Sequence, residues 1–276
     1  MSSLLERLGR PSNARVVIIS ALGLGVSHAA NMGVFSALRV GAATSTGLMM
    51  PCPWSRHAAA RVAAEDDVGV ELTLNAEHSQ LRWGPLTQAP TLLDGDGGFP
   101  RTVDDVWDHA DVDEVRRECL AQLERARQWG VDVTYLGSHL HTLLLRPEFF
   151  DVLLELAVDA ALPIRLPPAT SERLAGFPLR ELANEEDVLH PDHTVMPRSR
   201  QQLFDALRTL QPGVTEIVLH PAIDSPELRA YTSDWTSQVE DHQLLVDDAQ
   251  IAALLKDVPR ISYGHLRRLQ QGKDLD

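Results

Sequence analysis

The chain has 276 residues, 44% hydrophobic and 23% charged, a balance that suits a globular protein with a sizeable core. Its formal net charge of -14 repels nucleic acid and anionic membrane surfaces, so neither is an expected partner. No apolar run is long enough to span a bilayer, and Glu6, Arg7 and Arg10 interrupt any leader-like segment, which makes the cytoplasm the expected location.

Short β-branched runs alternate with helical patterns along the chain. A first strand is expected at 16–20. It runs through the glycine-broken turn Ala21-Leu22-Gly23-Leu24-Gly25 into a helix at 29–40. Next come a strand at 44–49, a helix at 55–64 and a strand at 69–74. Cys52 and Cys119, far apart in sequence, read as two free thiols of a reducing compartment. The helix expected at 112–129 is well marked: Asp111 and Glu114 resemble a capping box, and Gly130 ends it. A strand at 133–139 precedes a helix at 147–160, whose first position suits Pro147. Strands at 163–166, 216–220 and 260–263, with helices at 199–210 and 248–255, complete the pattern. Seven strands separated by helices predict an α/β fold, a mostly parallel sheet or barrel. One domain over 1–276 is expected, with inserted loops near 75–111 and 167–198.

Polar residues cluster where the strands end. Glu71 is the single carboxylate in the apolar run GVELTL, and a buried carboxylate is costly unless paired or used. Ser138, His139 and His141 lie in GSHLH; on an extended strand the two imidazoles would share a face, roughly 7 Å apart. Arg165 sits in PIRLPP, and His220 closes EIVLHPA. In a parallel α/β sheet these ends meet on one rim, so Glu71, His139, His141 and His220 are the catalytic candidates. Arg165 and Ser138 are candidates for substrate binding, as are Trp54 and Trp83, which have faces on which a sugar ring can stack. His57, His78, His109, His190, His193, His242 and His265 read as surface residues. GLG before the first helix does not complete a dinucleotide fingerprint, since residue 28 is His.

Several motifs in order, TSTGLMMPCPW, GVELTLNAEHSQLRWGPL, GFPRTVDDV, GSHLHTL, IRLP, VTEIVLHPA and ISYGHLRRL, resemble the YdjC/ChbG-type carbohydrate deacetylases. The resemblance runs from Arg15 to Leu269 and implies a seven-stranded (β/α) barrel. Deacetylating members carry an Asp-Asp pair after strand one, as base and metal ligand, with further ligands from a His in strand three and the His of Ser-His. Laid against that pattern, Leu22 and Gly23 take the Asp positions, Glu71 replaces the strand-three His, and His139 matches a ligand. Gly137 stands where an Asp commonly precedes Ser-His.

Three readings follow. The first is a repurposed enzyme using acid–base chemistry on a small polar or glycosylated metabolite, with no metal cofactor. The second is a hydrolase of an acetylated sugar or amide, with a divalent metal such as Zn or Mg on a rebuilt Glu71-His139-His141 set. The third is a non-catalytic sugar or metabolite binder. A small-molecule substrate is the expected partner; homodimerisation stays open, with no sequence feature marking an interface.

Overall fold

The computed structural model describes residues 3–274. Six parallel strands form one sheet: β1 (Arg15–Leu24), β2 (Ser45–Leu48), β3 (Val68–Leu72), β4 (Val133–Ser138), β5 (His193–Val195) and β6 (Gly213–Leu219). Their order is β4-β3-β2-β1-β6-β5. The α/β class with parallel strands is as expected, but a seven-stranded ladder is not present among the described residues.

Two expected strands are reduced to single bridges. In the segment 163–166 only Ile164 pairs with β4, at Leu136, because Pro163, Pro167 and Pro168 offer no backbone N–H. On its other side Ile164 donates to the Leu189 carbonyl, and the Thr194 hydroxyl of β5 donates to the Leu166 carbonyl. The segment therefore ties one sheet edge to the stretch carrying the other, and the sheet curls around its own interior. At 260–263 Arg260 alone bridges Val17, and the helix Tyr263–Gln270 begins at once.

The expected loops hold structure too short for a periodic signal. Residues 167–198 contain the helices Ala169–Ala175 and Leu179–Glu185 and the three-residue β5, while 75–111 contain the helix Val103–His109. Asp111 caps the helix Val112–Gln128 by accepting from the amides of Asp113 and Glu114. The box is not reciprocal, because the Glu114 carboxylate turns to Thr91 instead.

Strand alternation sorts side chains between two layers. Val17, Ile19 and Ala21 of β1 join the large cluster under the helices, whereas Val16 and Ile18 point inward with Val214, Ile261 and Leu266. Above that inner apolar floor lies a buried polar layer of Ser20, Glu71, Tyr135, Arg165 and Glu216. Tyr135 and Tyr263 stack within it, ring centroids 3.9 Å apart. Gly69 makes room for this stack, since a Cβ there would overlap the Tyr135 ring. A fully buried, stacked ring has nowhere to retreat. Gly69→Ala is therefore expected to lower stability by about 1–3 kcal/mol, read from a urea unfolding midpoint; an unchanged midpoint would show that the ring can shift.

Candidate active site

A cavity of about 600 Å³ opens at the C-terminal ends of the strands. Glu71, Ser138, His139, His141, Arg165 and His220 all line it. The parallel topology explains the convergence, because every strand delivers its last residues to the same rim.

Glu71 lies at the floor and is not free. Arg165 Nε donates to Glu71 Oε1 at 3.2 Å, Arg165 Nη2 donates to Oε2, and the Tyr135 hydroxyl donates to Oε1 at 3.3 Å. Both charged side chains are only 3% exposed. Burial alone would lower the Arg165 guanidinium, but Glu71 and Glu216 overcome that and push it up. Glycines on both flanking strands admit the Glu71 side chain: Gly137, its register partner on β4, and Gly47 on β2. A Cβ at either position would collide with it.

His139 and His141 do not share a strand face. β4 ends at Ser138, and Leu140 and His141 turn back with positive φ of 50° and 60°. His139 Nε2 lies 3.0 Å from Glu77 Oε2, and His78 Nε2 lies 3.4 Å from Glu77 Oε1. Burial would raise the Glu77 carboxyl, yet His139 and His78 hold it down at about 2, so it is a carboxylate that meets the His139 ring in a hydrogen bond. A carboxylate only accepts, so the His139 Nε2 that meets it carries the hydrogen. Burial also lowers His141 and His220 to about 4, helped in each case by the Arg165 charge. Both are neutral imidazoles at neutral pH, and His141 Nδ1 is buried without a hydrogen-bond partner.

The expected metal set is not assembled by this arrangement. Both Glu71 oxygens are engaged by Arg165, His139 is turned to Glu77, and His141 stands apart in the turn. Among the described residues no group of three or more His, Cys, Asp or Glu side chains is placed to hold a metal ion. The donors present do not fit one.

Two aromatic candidates lie elsewhere. Trp83 is 5% exposed, donates to the Asn75 carbonyl at 2.7 Å and belongs to the core, so it has no open face for a sugar. Trp54 packs against His28 and His57 and does not line the cavity. Cys52 and Cys119 are free and buried.

Sequence reasoning missed Glu77, which lies five residues beyond β3 and enters the cavity from the 75–111 insertion. It also placed His78 at the surface. His78 instead lines the cavity with its ring 4.8 Å from that of Tyr231, and His190 is likewise buried rather than exposed. The insertion is anchored by the buried Glu118, which accepts from the Leu86 and Thr87 amides and the Thr87 hydroxyl. The cavity's far wall, on the helix Trp235–Val246, went unread altogether.

A family model described as YdjC-like protein matches residues 16–257. The chain belongs to the YdjC-like family. Among curated relatives, a carbohydrate deacetylase of Thermus thermophilus is 34% identical over 249 residues, covering 87% of this chain and 89% of the relative. Another, from Geobacillus stearothermophilus, is 30% identical over 258 residues, with 92% and 99% covered. A solved structure from Enterococcus faecalis V583, provisionally assigned to cellobiose-phosphate cleavage, superposes with a TM-score of 0.80 at 22% identity. It covers 92% of this chain and 99% of its own and attests to the fold alone. No helix among the described residues is long and apolar enough to cross a membrane.

Glu216 completes the buried charge set. Its Oε1 accepts from the Ser20 hydroxyl at 2.6 Å, and the Tyr263 hydroxyl lies against the same carboxyl. Burial raises its carboxyl to about 7 against the pull of Arg165. A carboxyl raised by folding stabilises the fold fully below its unfolded pKa, and that contribution is lost as pH rises through the folded value. His141 and His220 carry the opposite sign over much of the same range, so the wild-type curve alone would hide the effect. The stability of the wild type relative to Glu216→Gln is expected to fall between pH values of about 5 and about 8 in chemical unfolding. A flat difference would mean that Glu216 does not titrate there.

Proposed function

We propose that this family member acts on a carbohydrate in the strand-end cavity by acid–base chemistry centred on Glu77 and His139, without the family's metal position. The carbohydrate follows the names of the curated relatives. The observation that carries the mechanism is the engagement of Glu71, the residue at the strand-three ligand position, by Arg165. With that carboxylate neutralised, and with Leu22 and Gly23 beside it on the cavity wall, the base must come from elsewhere.

His139 is suited to the task. Glu77 holds its Nε2, so Nδ1 can take a proton from a sugar hydroxyl or a bound water, and the carboxylate stabilises the imidazolium that forms. Neutral His141 and His220 serve as hydrogen-bonding walls rather than as cations. Arg165 stays with Glu71 and supplies no vacant charge.

A second reading, binding without turnover, is favoured by one feature. The wall formed by Leu22, Val26, Ala30 and Met49 is apolar and offers a reacting centre no group on that side.

A panel of acetylated and free amino sugars and their short oligomers decides between them. If His139 is the base, His139→Asn lowers turnover by about 10²–10⁴-fold without changing the melting temperature, and a chelator leaves the wild-type rate intact. Undiminished turnover in His139→Asn removes the assignment. Binding without turnover across the panel establishes the second reading.

A further inference from the structure

The wall that faces this chemistry carries carboxyl groups with no cationic partner among the described residues. Asp234, Ser237, Gln238 and Asp241 all line the cavity from the helix Trp235–Val246 and its N-cap, at spacings of three, four and seven residues, which is one helical face. Asp241 is 9% exposed. Its Oδ2 accepts from the His220 amide at 2.8 Å, its Oδ1 has no hydrogen-bond partner, and the residue lines the cavity. Asp234 sits at the N-cap but makes no side-chain capping bond. Neither acid has a salt-bridge partner among the described residues. The cavity's own cations are otherwise placed: Arg165 is paired with Glu71, and Arg198 is exposed and bonded to neither acid.

We propose that Asp241, assisted by Asp234, receives a protonated primary amine, so that the cavity takes an amino sugar in its free-amine form. Burial raises the Asp241 carboxyl to about 7, opposed by the His220 amide and reinforced by Glu240 and Asp234. An ammonium group supplies the counter-charge that the fold withholds, and a charge-assisted hydrogen bond is among the stronger polar contacts. The reaction that must precede this protein is then hydrolysis of an N-acyl group: a C–N amide bond is cleaved by water, leaving a carboxylate and the ammonium recognised here. The inference rests on the cavity being the carbohydrate site.

The test compares dissociation constants of glucosamine and N-acetylglucosamine by calorimetry at neutral pH, on the full chain and on Asp241→Asn. Asparagine keeps an oxygen for the His220 amide, and an unchanged melting temperature confirms that the variant is folded. The wild type is expected to favour glucosamine by about tenfold, and Asp241→Asn to abolish that preference. Equal or tighter binding of the acetylated sugar overturns the amine assignment while leaving the cavity as the carbohydrate site. A preference that survives Asp241→Asn also overturns it. Binding of neither sugar overturns both this inference and the function proposed above.

Discussion

The ion pair between Glu71 and Arg165 governs the site. Two opposite charges inside the curled sheet attract strongly, but both have lost water, and removing either partner typically costs about 3–5 kcal/mol because the other is left uncompensated. The pair persists through several features acting together. The guanidinium meets the carboxylate edge-on, Tyr135 adds a third donor, and glycines on both neighbouring strands leave the space that the carboxylate fills. Gly137 and Glu71 are thus one feature seen on two strands. A side chain at 137 and a carboxylate at 71 compete for the same volume.

The chemistry above the pair follows from this arrangement. The carboxylate at 71 is held in the floor, so its acidity is not available to a ligand. The polar groups that face the cavity come instead from loops and an outer helix: Glu77 and His78 from the insertion, His139 and His141 from the turn after β4, and Asp241 from the helix Trp235–Val246. Below the pair, Glu216 and the stacked tyrosines close the polar layer onto an apolar floor. The polar groups open to the cavity thus lie one layer outward from the strand interiors, on the elements that cover them.

Residue pattern revealed the scaffold well and the site only in part. The helix at 147–160 was legible to the residue, because proline at its start and an uninterrupted apolar stripe are both local signals. Convergence of Glu71, His139, Arg165 and His220 was legible too, since parallel topology alone brings strand ends together. Strand β5 was not: three residues carry no periodicity, and its pairing with β6 is settled by distant sequence. The positive φ at Leu140 and His141 has no marker in a sequence without glycine there. Glu77 and Asp241 were hidden because their neighbours in space are far away in the chain. Partnership is what a single sequence does not display: alone, Glu71 reads as a reactive carboxylate, and in the fold it is the partner of Arg165.

The ion pair stands at the strand-three ligand position of the family and engages both oxygens that Glu71 could offer a metal. The most direct measurement is elemental analysis after loading wild type and Glu71→Gln with zinc and desalting both. Far less than one equivalent is expected in each. One equivalent retained by the wild type and lost in Glu71→Gln would contradict this, because Glu71 would then be a ligand and not the partner of Arg165.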